Sequence, residues 1–245
     1  MLELRPLFKK PQIIDAWQKR TGRAFHELPN LLRPFWPGHK RDEFCLNLSD
    51  DLSLSFERSY GGGFQRFSLG IPSSSALQIH ALRAFPHSKG FGKEFMRWVI
   101  GFAEEIKRPQ LELVASEVGR YFWARAGFIP DEPAWDRIRQ AALVYLRQEE
   151  YLLGRDVWVL EKILHNPNPA AIRNLACQTI MGWKDGQFQE IAIGKDMLLD
   201  ATPGWGGLLD LTNPVSRRQA LEYCGPALPP SALHALNFAK ARMRA

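Results

Sequence analysis

The segment from Leu77 to Phe128 limits the fold more than any other part of the chain. Leu77 to Phe85 has the apolar character of a sheet strand, and the turn Pro86-His87-Ser88-Lys89-Gly90-Phe91-Gly92 follows it. Beyond the turn, Phe91, Phe95, Trp98, Val99, Phe102 and Ile106 recur mostly at intervals of three and four, so the helix running to about Lys107 carries one apolar stripe. Pro109 ends it. Leu111 to Ala115 predicts a second strand and Glu117 to Ala126 a second helix, which Gly127 stops before a strand opens at Phe128-Ile129. Strands alternating with helices need a sheet with helices laid on it, so the expected class is α/β (α+β).

A glycine-bearing turn between a strand and a helix exposes backbone N–H groups with few side chains in the way. The first helical turn adds unpaired donors and the positive end of the dipole. Together they form a seat for a pyrophosphate, and Lys89 and Lys93 bring positive charge to it. The pattern excludes two familiar ligand sets. Gly92-Lys93 is followed by Glu94, and His87 stands five residues before Gly92, so no Walker A loop is present. Phe95 stands where a dinucleotide fingerprint needs its third glycine.

Three short motifs in this stretch resemble one family. His87-Ser88-Lys89-Gly90-Phe91-Gly92 resembles the acetyltransferase signature of Gln or Arg, two residues, Gly, any residue, then Gly or Ala, with His87 at its first position. Phe122-Trp123-Ala124-Arg125-Ala126-Gly127-Phe128 resembles the aromatic-x-x-x-Gly-Phe element found one helix and one strand later. Gln78-Ile79-His80-Ala81-Leu82 looks like the His-x-His-Ala-Leu segment of arylalkylamine N-acetyltransferases, with Gln78 in place of the first His. Over about residues 45 to 130 the chain is similar to the GCN5-related N-acetyltransferase (GNAT) superfamily.

The resemblance implies a mixed sheet, flanked by helices, that splays open between its fourth and fifth strands. It implies acetyl-CoA as co-substrate, no metal, and acyl transfer to a primary amine. Leu82, Arg83 and Ala84 would face pantetheine. His87, Ser88, Lys89, Gly90, Phe91, Gly92 and Lys93 would hold the pyrophosphate, and Trp123 would pack against pantetheine or core. Attack on a thioester needs a neutral amine, so a base must take a proton. His80 is the first candidate base and Glu57, on an adjacent strand, the second. Trp123 stands where the family often has a Tyr acid, and an indole has no proton of useful acidity. Tyr121 is then the candidate acid, or the thiolate takes a proton from water.

The flanks are less specific. Ile13 to Thr21 and Phe25 to Phe35 predict helices. Cys45 to Ser49 and Leu52 to Arg58 alternate like half-buried strands, and Phe64 to Ile71 is expected as another strand. Pro133 to about Leu153 predicts a helix, Val157 to His165 a strand or helix, and Ala170 to Gly182 a helix. Ile191 to Leu199 and Leu208 to Leu211 are apolar runs, and helices are expected over Ser216 to Tyr223 and Ser231 to Arg244. The chain therefore divides into a core over 1–132 and a helical insertion or C-terminal helical extension over 133–245, with 191–211 returning a strand to the sheet in the first case. Tyr145, Tyr151 and Trp158 of this part are candidate acceptor contacts.

The formal net charge is +6 and the isoelectric point about 9.3, which suits acidic or phosphate-rich partners without choosing among them. The acceptor stays open between a small amine, a protein amine and a tRNA-linked amine. Nucleic-acid binding and a non-catalytic CoA-binding protein on the same scaffold are the alternatives, and a homodimer is compatible with either. Cys45, Cys177 and Cys224 lie far apart with no CxxC, which fits reduced thiols, not a disulfide framework or zinc site. There is no signal-like apolar leader and no apolar run near the ~20 residues of a membrane helix, so the expected setting is the cytoplasm, away from membranes.

Overall fold

The computed structural model describes residues 10–32, 43–60, 62–85, 90–148, 154–184 and 186–227. The protein is of mixed α/β (α+β) class, as the sequence pattern predicts. The described residues fall into two compact units, those within 1–112, 210–214 and 221–245, and those within 113–209 and 215–220.

In the first unit, α1 (Pro11–Thr21) ends at Gly22, and a 3-10 turn (Phe25–Glu27) leads into α2 (Leu28–Leu31). The single helix expected over Phe25 to Phe35 is thus two short pieces as far as residue 32, and residues 33–42 lie outside the described ones. Strands β1 (Glu43–Leu48), β2 (Ser53–Tyr60), β3 (Gly63–Gly70) and β4 (Ala76–Phe85) then pair in order as an antiparallel meander. Helix α3 (Phe91–Glu105) follows β4, and β5 (Gln110–Ala115) follows α3.

Alternation decides which side of the meander is dry. Leu48, Leu54, Phe56, Phe67, Leu69 and Ile79 are buried, and α3 buries its whole predicted stripe with them. The contacts are largely aromatic: Phe67 lies 5.1 Å from Phe95 and 5.4 Å from Trp98, and Trp98 stacks on Phe102 at 5.2 Å. Trp17 of α1 stacks on Phe102 at 6.4 Å. The Trp98 indole N–H donates to the Leu31 carbonyl at 2.7 Å, so its polar atom is not stranded in this core. The other face of the meander carries small and polar side chains: Ser53 opposite Gly70, Gly70 opposite Gln78, and Asn47, Ser55, Ser68 and Ala81 in one cross-strand row.

The second unit contains α4 (Gly119–Arg125), β6 (Ile129–Pro130), α5 (Glu132–Gln148), α6 (Gly154–Leu164) and α7 (Ala171–Ala176). After them come a hairpin of β7 (Ile180–Lys184) and β8 (Gln187–Ile191), the turn α8 (Ile193–Asp196), a π-helical turn (Met197–Ala201) and β9 (Trp205–Asp210). Helix α9 (Pro214–Cys224) closes the described chain and contributes residues to both units.

The structure corrects two readings here. The helix expected over Ala170 to Gly182 ends at Ala176, and Ile180 to Gly182 belong to β7. Thr179, Ile180 and Trp183 favour a strand, and the Asp185-Gly186 dipeptide marks a two-residue hairpin. Within Ile191 to Leu211, residues 193–201 are helical, and only Trp205–Asp210 is a full strand. Residues 157–164 are helix, and the helix expected over 231–244 lies outside the described residues.

In this unit β9 runs between the end of β5, residues 113–115, and β6. It is antiparallel to β6, with Ile129 opposite Leu208 and Pro130 opposite Gly207. Leu113 to Ala115 lie along its other side, where a Cβ on Gly204 would sit 3.0 Å from the Ala115 carbonyl.

Candidate functional site

The strand-to-helix turn after β4 is the first element to build. Gly90 is the N-cap of α3 and has φ +102°, a conformation in which an L side chain is strained. The Gly90 carbonyl accepts the Glu94 N–H at 2.9 Å, which closes the first helical turn. Phe91 is buried and anchors that turn in the core, whereas Gly92 is half-buried and Lys93 exposed. Among the described residues, a Cβ placed on Gly90 would meet nothing within 4 Å. His87, Ser88 and Lys89 lie outside the described residues.

The charges at this end of α3 are organised by the end of α9. The Lys93 ammonium lies 4.7 Å from the centroid of the Tyr223 ring, and Arg97 donates through Nε to the Pro226 carbonyl at 2.9 Å. Glu94 keeps part of its surface in solvent, yet loss of water pushes its carboxyl above the ordinary glutamate range while Arg58 and Arg97 oppose that shift.

The strand β4 supplies the second element. Its register to β3 runs Ser68 opposite Ala81 and Leu69 opposite Ile79, so His80 is an extra residue, a β-bulge. His80 is exposed, and the Nε2–Cε1 edge of its imidazole approaches Gly70: a Cβ on Gly70 would stand 2.7 Å from Nε2 and 2.9 Å from Cε1. His80 Nε2 is 3.4 Å from Gln78 Oε1. The β1–β2 turn is also near. The Asp51 carboxylate accepts hydrogen bonds from the Ser49 hydroxyl and, at 3.2 Å, from the Ser53 N–H. Those two bonds hold its carboxyl below the ordinary aspartate value of 3.8, with a smaller contribution from the charge of His80.

Beyond the bulge, Leu82 and Ala84 are half-buried and Arg83 is exposed, opposite Phe67, Gln65 and Arg66 respectively. Glu57 sits opposite Arg66 and pairs with it at 4.0 Å. Gly70 and Arg66 are four residues apart on β3, so Glu57 and the His80 ring stand roughly 13 Å apart along the strands. Glu57 and His80 therefore do not act as one pair.

The second unit holds Tyr121 and Trp123. Arg125 Nη1 donates to the Tyr121 hydroxyl at 2.9 Å, one helical turn away. Trp123 is buried, packed edge-on against Phe122 at 4.7 Å and Phe128 at 5.3 Å. Its indole Nε1 lies where a Cβ on Gly119 would come within 2.9 Å. Of the candidate acceptor contacts, Tyr145 is half-buried, Trp158 is 62% exposed with Lys162 over its ring, and Tyr151 lies outside the described residues.

Sequence reasoning did not pick out Gly70, Asp51 or Tyr223. A glycine at a strand end is a signal of close approach by another group, and Gly70 carries it. Tyr223 offered no comparable signal, because only the folded chain brings it to Lys93. Among the described residues no group of three or more His, Cys, Asp and Glu could hold a metal ion, and no helix is long and apolar enough to cross a membrane. Comparison of the chain with family models, curated proteins and solved structures finds no match.

Proposed function

We propose that the protein is an N-acetyltransferase of the GCN5-related type, transferring an acetyl or other acyl group from CoA to a primary amine. The observation that carries this reading is the passage from β4 through Gly90 into α3. It gives α3 an N-terminus that starts on a glycine at φ +102°, with Lys93 in its first turn, after the strand that bears His80. Such an end binds phosphate oxygens through backbone donors. The antiparallel β6–β9 pair adds support: on this reading it would stand for the two-stranded hairpin that follows Gly-Phe in that family, with residues 131–204 between its strands.

Acetyl-CoA would supply the activated thioester. Gly90, Phe91, Gly92 and Lys93 would bind its pyrophosphate, with His87, Ser88 and Lys89 completing the turn. Leu82, Arg83 and Ala84 would lie along pantetheine. His80 takes the proton that the amine must lose before its nitrogen lone pair forms the new C–N bond. As the C–S bond breaks, the sulfur takes a proton from water. A β4 N–H is the donor this reading assigns to the oxyanion. The exposed free thiols of Cys45 and Cys177 suit a reducing cytoplasmic setting.

Titration calorimetry with acetyl-CoA, combined with thiol release against a panel of amines, tests the reading. Binding with turnover supports it, and His80→Ala and His80→Gln then lower turnover while CoA affinity holds. Near-normal turnover in both variants removes His80 as the base. Trp123 favours a second reading: buried at the position of the family's Tyr, it offers no acid, as expected of a CoA-binding protein without turnover. Binding with no thiol release from any amine decides for that reading.

A further inference from the structure

We infer that Gly70 and Gln78 form a seat that fixes the plane and the tautomer of the His80 imidazole, so that Nδ1 is its proton acceptor. As a role in catalysis this rests on the acyltransferase reading. As a statement about the imidazole it stands on the first unit alone.

The bulge alters the local geometry of β4 at His80. A bulged side chain is re-aimed and, on an exposed strand, would ordinarily sample several rotamers. Gly70 removes that freedom in one direction. Its hydrogen in place of a methyl group lets the ring settle where a Cβ would clash with Nε2 at 2.7 Å and Cε1 at 2.9 Å. The φ of Gly70 is not in the left-handed region, so its backbone does not require glycine and the contact with the ring is what does.

Gln78 then selects the tautomer. A carboxamide oxygen only accepts, so the ring nitrogen facing Gln78 Oε1 at 3.4 Å is the one that carries hydrogen. Nε2–H donates, and the lone pair is left on Nδ1. The charged groups near this seat are Asp51 on the β1–β2 turn and Arg20, which donates to the carbonyls of Asp51 and Ile71. Asp50 is paired to Lys10 at 3.0 Å. These charges surround the seat without taking the place of Gln78 at Nε2.

The test is a double-mutant cycle with NMR of the full-length protein. Gly70→Ala is expected to lower the unfolding midpoint when His80 is present and to have little effect in a His80→Ala background, because the added methyl group clashes only with the ring. In long-range 1H–15N spectra, Gly70→Ala and Gln78→Leu should each raise the share of the Nδ1–H form, and Gln78→Glu should restore Nε2–H. If turnover is present, Gly70→Ala lowers kcat by on the order of tenfold to a hundredfold with CoA affinity unchanged. Equal effects of Gly70→Ala in both backgrounds, or Nδ1–H as the main form in the native protein, overturn the inference. Absence of turnover with every amine would defeat the acyltransferase reading while the cycle and the spectra still decide on the seat.

Discussion

The ammonium of Lys93 lies 4.7 Å above the ring of Tyr223, which ties the first turn of α3 to the last turn of α9. A lysine at a phosphate seat is useful only if its charge stays near the helix end, and an aromatic face can hold it there. Lys93→Ala should weaken CoA binding more than Tyr223→Leu, because the first removes the charge and the second only its support. A partly exposed cation–π contact contributes about 0.5–1 kcal/mol, so Tyr223→Leu should raise the Kd for CoA by roughly two- to fivefold. Titration calorimetry at fixed ionic strength separates the two variants. Equal affinity in Tyr223→Leu and native protein would show that the ring does not orient the charge.

Gly90 separates backbone strain from crowding. Its φ of +102° disfavours a side chain, yet a Cβ there meets no described residue within 4 Å. Gly90→Ala should therefore destabilise the protein by about 1–2 kcal/mol through the backbone alone, and Gly90→Asn by less. Gly92→Ala, which lacks the positive φ, should cost less than Gly90→Ala. Urea unfolding gives all three values. CoA affinity should fall in Gly90→Ala beyond what stability explains, since the methyl group enters the space that phosphate oxygens approach.

Local order was legible wherever one pattern dominated. The stripe on α3 named its core residues from the sequence, and alternation marked β1 and β2 as half-buried strands, because a period of 3.6 or 2 points one way only. Residues 177–182 and 193–201 were misread for the opposite reason. Their apolar residues fit a helix or a strand equally well over short lengths, and the Asp185-Gly186 turn signal that favours a hairpin went unused. The site divides in the same way. Gly90 could be seen in the sequence because helix capping is local. The contact between Gly70 and His80 could not, because it needs the β3–β4 register and a bulge that shifts that register by one residue.

The β1–β2 turn gives the first unit one source of acid sensitivity. Hydrogen bonds from Ser49 and the Ser53 N–H depress the Asp51 carboxyl below 3.8 in the folded protein. A carboxyl depressed on folding adds stability above its unfolded value, and that stability is lost as pH falls through the folded value. Asp51 therefore contributes at neutral pH and loses its contribution below about pH 4. Asp51→Asn should be less stable at pH 7 and should show a shallower fall in Tm on acidification. Parallel Tm curves for native protein and variant across this range would remove Asp51 as a source of the dependence.

The three cysteines should separate by reactivity. Cys45 and Cys177 are exposed free thiols, whereas Cys224 is buried near the end of α9. Burial pushes the Cys224 thiol up to about 12, even though Lys93 and Arg97 pull the other way. The thiolate is the reacting form, so a rise from the usual ~8.5 lowers its share at pH 8 by on the order of a thousandfold. A disulfide reagent at pH 8 should titrate two thiols in the folded protein and the third only after denaturant is added. Because Tyr223 precedes Cys224 and Lys93 lies over its ring, loosening of α9 from α3 should expose this thiol. Tyr223→Leu should then speed its modification, and CoA should slow it again if CoA binds at the α3 terminus. Fast labelling of all three thiols in the native protein would show that the end of α9 does not stay packed as described.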